Sequence, residues 1–360
     1  MGPEARMLVR LPNWLGDAVM ALPALRYIRE TLPEIGLHVA ARPALLGLFG
    51  SQPGIDGTLA APGSGTGPLL RALAAGKAAL PGDWNGEPPL VGALLPNSLS
   101  SALWMWRLGA RRRAGYNLNG RRRLLTDPLP CDARVKMLHF TRYYLEIAQK
   151  AAMIAAPATR IMPPPIIDYA FIGPKLTAPA TGVENAARLY REHGGEGGYA
   201  VLAPMSAYGP VKDWPREHYR RLALRLANDH GLIPVLTGSE TQRRACDEII
   251  AGVPRGINLA GRTALADFVG LVAECRLFVG GDSGGAHVAA ALGVRTLVIF
   301  GITNPTRTRA IGRNVKLLGR GETRTLDLSR ADTRRRAEKA LRDVAPDEVA
   351  MAVAGLLRNS

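Results

Sequence analysis

Four short segments of this 360-residue sequence carry glycine, carboxylate and ammonium groups at spacings that suit anion binding and proton transfer. Val279 to His287 reads VGGDSGGAH. Its glycines let backbone amides approach an anion, and a helix opening behind them adds partial positive charge, a combination that suits a diphosphate. The same residues also suit a tight turn with Asp282 capping the helix, and residue types alone leave both readings open. The segment has neither the G-K-[ST] of a Walker loop nor the G-x-G-x-x-G spacing of a dinucleotide fold. His287 stands where it can meet a phosphate or sugar, or serve packing. Lys212, within APMSAYGPVKDWPREH (Ala203 to His218), has the reach to pair with phosphates, or it is simply solvated. Glu240 in LTGSE can accept hydrogen bonds from ribose hydroxyls. Asp17, in RLPNWLGDAV, suits either a general base or a helix cap.

All four segments fall where an apolar run gives way to a helical pattern, the alternation of βαβ units around a parallel sheet. In the C-terminal half the runs predict strands at Tyr199 to Ala203, Leu232 to Leu236, Ile257 to Ala260, Leu277 to Val279 and Thr296 to Phe300. Helices are predicted at Pro215 to His230, Thr241 to Ala251, Ala264 to Glu274 with Thr263 as N-cap, and Ala286 to Leu292. The N-terminal half opens with a strand at Met7 to Leu11 and a helix from about Asp17 to Thr31, bent at Pro23. Further strands are read at Leu90 to Leu95 and Ala114 to Tyr116. The Ala/Gly/Pro-rich stretch from about 60 to 90 reads as an insertion or mobile loop. The fold class is therefore α/β, with a domain boundary near 170 to 185 and no internal repeat of fixed period.

Composition narrows the function. With 46 Lys+Arg against 30 Asp+Glu the net charge is +16, which favours anionic partners: nucleic acid, a membrane surface or a phosphorylated substrate. Arg111 to Arg113 and Arg121 to Arg123 place six arginines in thirteen positions, suited to bidentate phosphate contacts. Tyr116 is the only aromatic among them, which argues against a nucleic-acid patch. Three widely spaced cysteines indicate neither a disulfide framework nor a zinc site, and fit a reducing cytoplasm. No apolar run is long enough to span a bilayer.

Taken together, LPNWLGDAVMALPAL (Leu11 to Leu25), LLPNSLSSAL (Leu94 to Leu103), the RRAGY stretch ending at Tyr116, GPVKDWPREHY (Gly209 to Tyr219), TGSE (Thr237 to Glu240) and GDSGGAHVAAALG (Gly281 to Gly293) resemble glycosyltransferase family 9, the bacterial ADP-heptose:lipopolysaccharide heptosyltransferases. ALRDVAPDEVAMAVAGL (Ala340 to Leu356) is similar to the family's tail, so the likeness runs over nearly the whole chain. It implies a GT-B fold of two Rossmann-like doubly wound domains facing across a cleft. Residues 1–178 would bind acceptor and 179–340 the donor nucleotide, with 341–360 a C-terminal helix packing back toward the N-terminal domain. The activity implied is inverting transfer of heptose from ADP-heptose to the lipopolysaccharide inner core, the second heptose being the nearer likeness. Asp17 would be the base. Ser206, Lys212, Glu240, Asp282, Ser283, Gly284, Gly285 and His287 would bind the donor; Asn13, Trp14, Arg111, Arg113, Arg121 and Arg123 would bind the acceptor. No cofactor or metal is implied. The expected partners are ADP-heptose, the core acceptor and an anionic inner-leaflet surface, without nucleic acid, and the expected location is the cytoplasmic face of the inner membrane. The competing readings are a family 9 transferase acting on a protein or another glycan, and a non-catalytic basic anion- or nucleic-acid-binding protein.

Overall fold

The computed structural model describes residues 5–63, 67, 70, 80–81, 84, 86–159, 161–166, 173–207, 209–301, 303–319 and 330–358. The chain divides into two compact units, Met1–Thr177 and Ala178–Ser360.

The N-terminal unit is built on a parallel sheet of β1 (Arg6–Arg10), β2 (Gly36–Ala41), β3 (Gly57–Ala60), β4 (Val91–Leu94), β5 (Arg112–Tyr116) and β6 (Asp127–Leu129). Their order across the sheet is β3-β2-β1-β4-β5-β6. Met7, Leu8 and Val9 are fully buried, as expected of a central strand covered on both faces. The expected single helix after β1 is two helices, α1 (Leu15–Met20) and α2 (Leu22–Thr31), followed by α3 (Pro43–Gly50). Pro23 occupies the second position of α2, where no intrahelical amide is needed, so it starts that helix instead of bending a longer one. Further helices are α4 (Leu99–Arg107), α5 (Ala133–Met137) and α6 (Phe140–Thr159). Much of 60–90 lies outside the described residues. Within it, however, Leu80 and Trp84 are buried core residues, with Trp84 packed edge-on against His38, so at those two positions the segment is part of the fold and not a mobile insertion.

The C-terminal unit starts with α7 (Ala180–Glu192) and holds β7 (Tyr199–Ala203), α8 (Arg216–His230), β8 (Ile233–Leu236), α9 (Arg243–Ile250), β9 (Ile257–Asn258) and α10 (Leu265–Ala273). It continues through β10 (Leu277–Gly281), α11 (Gly284–Ala291), β11 (Thr296–Phe300), α12 (Pro305–Thr308), β12 (Val315–Gly319), α13 (Ala331–Arg342) and α14 (Pro346–Arg358). All neighbours are parallel in the order β9-β8-β7-β10-β11-β12, the same doubly wound topology as the first unit. Two copies of one topology thus stand in a chain whose sequence shows no repeat. Thr263 does not cap α10: Ala264 is the N-cap, and Asp267, three residues on, accepts the Ala264 amide. The last helix, expected to pack toward the N-terminal unit, has Val349, Ala352 and Val353 buried with Leu222 and Leu226 in the core of its own unit.

Candidate functional site

In a doubly wound sheet, ligands bind beyond the carboxyl ends of the strands where the order reverses, because the flanking loops diverge there. In the C-terminal unit that point lies between β7 and β10, paired through Ala203 and Gly280. The two loops leaving it carry Lys212 and Asp282. The Lys212 ammonium donates to Asp282 Oδ2 at 3.0 Å and to the Asp282 carbonyl at 3.3 Å, with both side chains largely buried. The strand and helix on either side are closer together than the sequence suggested. β10 runs on to Gly281, and α11 begins at Gly284, two residues before the expected start. Gly284 and Gly285 therefore lie in the helix's first turn, and Ser283 at the N-cap makes no side-chain capping bond. Gly281 has to be glycine for closeness: a Cβ there would stand 2.7 Å from the Lys212 carbonyl oxygen. Gly285 packs under the Phe278 and Phe268 rings, where a Cβ would come within 3.0 and 3.2 Å, so packing accounts for this glycine as well as any anion. Asp282 does not act as the cap; it is held by Lys212.

His287, on the second turn of α11, is buried, and desolvation pulls its imidazole down to about 4, helped by the Lys212 charge and opposed by Asp282. It is neutral at pH 7 and can accept as well as donate. Because the folded ring holds its proton more weakly than an unfolded one, stability from this residue is lost as pH falls from about 6.5 toward about 4. Thr308, at the end of α12 beyond β11, places its hydroxyl 3.4 Å from Asp282 Oδ2 and was not anticipated from the sequence. Glu240 lies at the end of β8, one strand away, exposed and paired with Arg243 at 2.5 Å. Gly261, with φ of +71°, passes beneath it where any side chain would strike the Glu240 carboxylate. Ser206 is buried in the loop after β7.

Trp214 in the KDWP segment is a structural anchor. It is buried, packs edge-on against Tyr219, and donates its indole N–H to the Val344 carbonyl at 2.9 Å. Val211 packs against Ala337 of α13 in a small apolar cluster, so the last two helices brace the Lys212 loop. Trp214→Phe leaves that buried carbonyl without a donor and is expected to lower stability by about 1–3 kcal/mol. A urea midpoint unchanged from wild type would show that the indole bond contributes nothing.

In the N-terminal unit the order reverses between β1 and β4. After β1, Trp14 is the exposed N-cap of α1 and Asp17 is the third residue of that helix, not its cap. Asn13 accepts from Arg10 Nη2 at 2.7 Å. Arg10 is buried, also donates to the Leu11 and Pro62 carbonyls, and is drawn down to about 10 by burial and by Arg42, which leaves it charged. The arginine runs divide sharply. Arg121 is fully buried: it donates to the carbonyls of Tyr116 and Pro96 and to Asn97 Oδ1, and so shapes the loop after β4 instead of presenting itself to a ligand. Asn97 is held further by the Tyr143 hydroxyl at 2.7 Å. Arg113 donates to the Ala110 and Leu124 carbonyls, each at 2.6 Å. Arg112 forks onto Asp127 of β6, which holds that carboxyl below the usual carboxylate range. Arg111, Arg122 and Arg123 are exposed. Among the described residues no group of three or more His, Cys, Asp or Glu is placed to hold a metal ion, and no helix is long and apolar enough to cross a membrane.

Comparison with known proteins bears on the fold and the family. The family model "Glycosyltransferase family 9 (heptosyltransferase)" matches residues 91–337. The chain is 29% identical over 351 residues to lipopolysaccharide heptosyltransferase 2 of Salmonella typhimurium, covering 96% of each protein. Its structure is similar to that of E. coli ADP-heptose LPS heptosyltransferase II, with a TM-score of 0.78 at 24% identity over 98% of this chain and 99% of that one. It is also similar to a glycosyltransferase family 9 protein of Veillonella parvula, with a TM-score of 0.80 at 17% identity over 100% and 99%. These structural likenesses show the fold, two doubly wound units of the GT-B type. With more than half of its length matched by the family model, the chain belongs to glycosyltransferase family 9, the heptosyltransferases.

Proposed function

We propose that this protein transfers a heptose from ADP-heptose to the inner core of lipopolysaccharide, as the second heptose, with inversion at the anomeric carbon. The observation that carries the reading is the Lys212–Asp282 pair at the strand-order reversal, beside the open first turn of α11. The ammonium is paired with Asp282, and a diphosphate offers it a second, stronger partner. The amides of Ser283, Gly284 and Gly285 then meet the same diphosphate, Ser206 and His287 lie beside it, Glu240 accepts from the adenosine ribose, and Asp282 turns to the heptose. Acceptor binds at the carboxyl ends of the strands of the N-terminal unit, where Asn13 and Trp14 flank Asp17; Arg111, expected in the same site, leads into β5 at the opposite, amino end of the parallel sheet and does not belong to it. The Asp17 carboxylate takes the acceptor hydroxyl proton as that oxygen bonds to the anomeric carbon, and the bond from that carbon to ADP breaks with its electron pair. The charge growing on ADP falls to Lys212 and the helix amides, with no metal called on.

The names of the relatives support the donor and the acceptor class. Mass spectrometry of deacylated core acceptors bearing no heptose or one, incubated with ADP-heptose and a chelator, tests it. Addition to the one-heptose acceptor alone is expected; addition only to the bare core, to neither, or only with added metal would overturn the corresponding part. A net charge of +16 and the exposed arginines also favour salt-sensitive association with an anionic lipid surface. Co-sedimentation with anionic vesicles is expected at low ionic strength and should be lost at about 0.5 M salt, where the Debye length is only a few ångströms. Absence of binding at low salt would remove the membrane partner.

A further inference from the structure

Lys212, Asp213 and Trp214 are consecutive, yet their side chains reach three separate parts of the C-terminal unit. Lys212 goes to Asp282 after β10, and Trp214 to Val344 near the chain's end. Asp213 turns back into its own loop: its Oδ1 accepts the Ser206 amide at 2.7 Å, and the Ser206 hydroxyl donates to the Gly209 carbonyl at 3.4 Å. The loop closes around this contact, since the Ser206 carbonyl accepts from the Gly209 amide at 3.3 Å and the Gly209 carbonyl from the Lys212 amide at 3.1 Å. Asp213 therefore holds the chain at both ends of the segment that carries Ser206 and Lys212. A carboxylate beside a diphosphate site repels the ligand, so charge is not what recommends aspartate here. Burial already pushes its carboxyl above the usual range. What the loop requires is an acceptor of this reach.

We propose that Asp213 is a positioning residue for the nucleotide diphosphate, acting through the loop from Ser206 to Lys212 by hydrogen-bond geometry and not by its charge. The proposal rests on the donor-site reading above. Asp213→Asn keeps the acceptor and removes the charge; Asp213→Glu keeps the charge and displaces the acceptor by one methylene; Asp213→Ala removes both. Calorimetric titration of the full chain with ADP is expected to give a dissociation constant for the Asn variant no weaker than wild type, and constants about tenfold weaker for the Glu and Ala variants. In turnover the Glu variant should show the loss in KM for the donor, with kcat near wild type. Urea unfolding identifies a variant that fails to fold, in which case the remaining one is read against Asn. An Ala or Glu variant binding ADP like wild type, or an Asn variant as weak as Ala, overturns the proposal. If the wild-type chain itself fails to bind ADP, the nucleotide reading falls and takes this proposal with it, an outcome visible before any variant is compared.

Discussion

Asp17→Asn is expected to lower kcat by about 10²- to 10⁴-fold, the usual contribution of a positioned general base. The substitution is nearly isosteric and keeps an oxygen acceptor, so the first turn of α1 and its neighbours Asn13 and Trp14 should stay in place. What is lost is the ability to hold a proton at the acceptor oxygen. ADP affinity, which the proposed donor site assigns to the other unit, should then stay within about twofold. The alternative role for a carboxylate in a helix's first turn is to complement the helix dipole, worth about 0.3–1 kcal/mol of stability. The two roles separate cleanly. A small drop in the urea midpoint with turnover within a few fold of wild type would make Asp17 a dipole partner; collapse of turnover with the midpoint almost unmoved makes it the base.

The second large effect is at Lys212. Lys212→Ala should weaken ADP binding by about 10- to 100-fold, the scale of one charge-assisted bond between ammonium and phosphate. It also strands Asp282, largely buried and left with the weaker Thr308 contact, at an expected cost of about 1–3 kcal/mol in stability. Adding Asp282→Ala should restore part of that stability while leaving ADP binding weak, because the buried carboxylate is gone but the ammonium is still missing. Lys212→Arg is not a conservative control here: a planar, longer fork would replace a compact ammonium that bonds both the carboxylate and the carbonyl of Asp282. Unchanged ADP affinity in Lys212→Ala would remove this residue from the donor site.

How far the sequence disclosed this arrangement varies from residue to residue. The strands of the C-terminal half were legible because buried parallel strands are short, apolar and β-branched, as in TLVIF at Thr296 to Phe300. The start of α11 was not, because glycine is a poor helix former and Gly284 and Gly285 read as loop. Two phenylalanine rings pack against Gly285 in the first turn, a tertiary influence that local propensity does not contain. Arg121 reads as one member of a basic run suited to phosphate contacts. Its burial depends on carbonyls at Tyr116 and Pro96 and on Asn97, which come together only when β4 and β5 pair. Lys212 and Asp282 were each visible as candidates, but they stand 70 positions apart, and their pairing needed the β7–β10 adjacency. Thr308 and Asp213 carry no motif of their own. Each becomes informative only through the group it touches.

The indole bond from Trp214 to Val344 spans 130 positions of sequence. During synthesis at about 5–20 residues per second, Trp214 is made on the order of ten seconds before its acceptor carbonyl exists. The N-terminal unit has its whole sheet available well before then, while the loop bearing Lys212 waits for the final helices. A nascent chain paused before Val344 therefore carries every proposed donor-binding residue and still lacks the indole bond that braces the loop bearing Lys212. Translation arrest or proteolytic trimming near that point is a way to separate possession of these residues from possession of a formed nucleotide site.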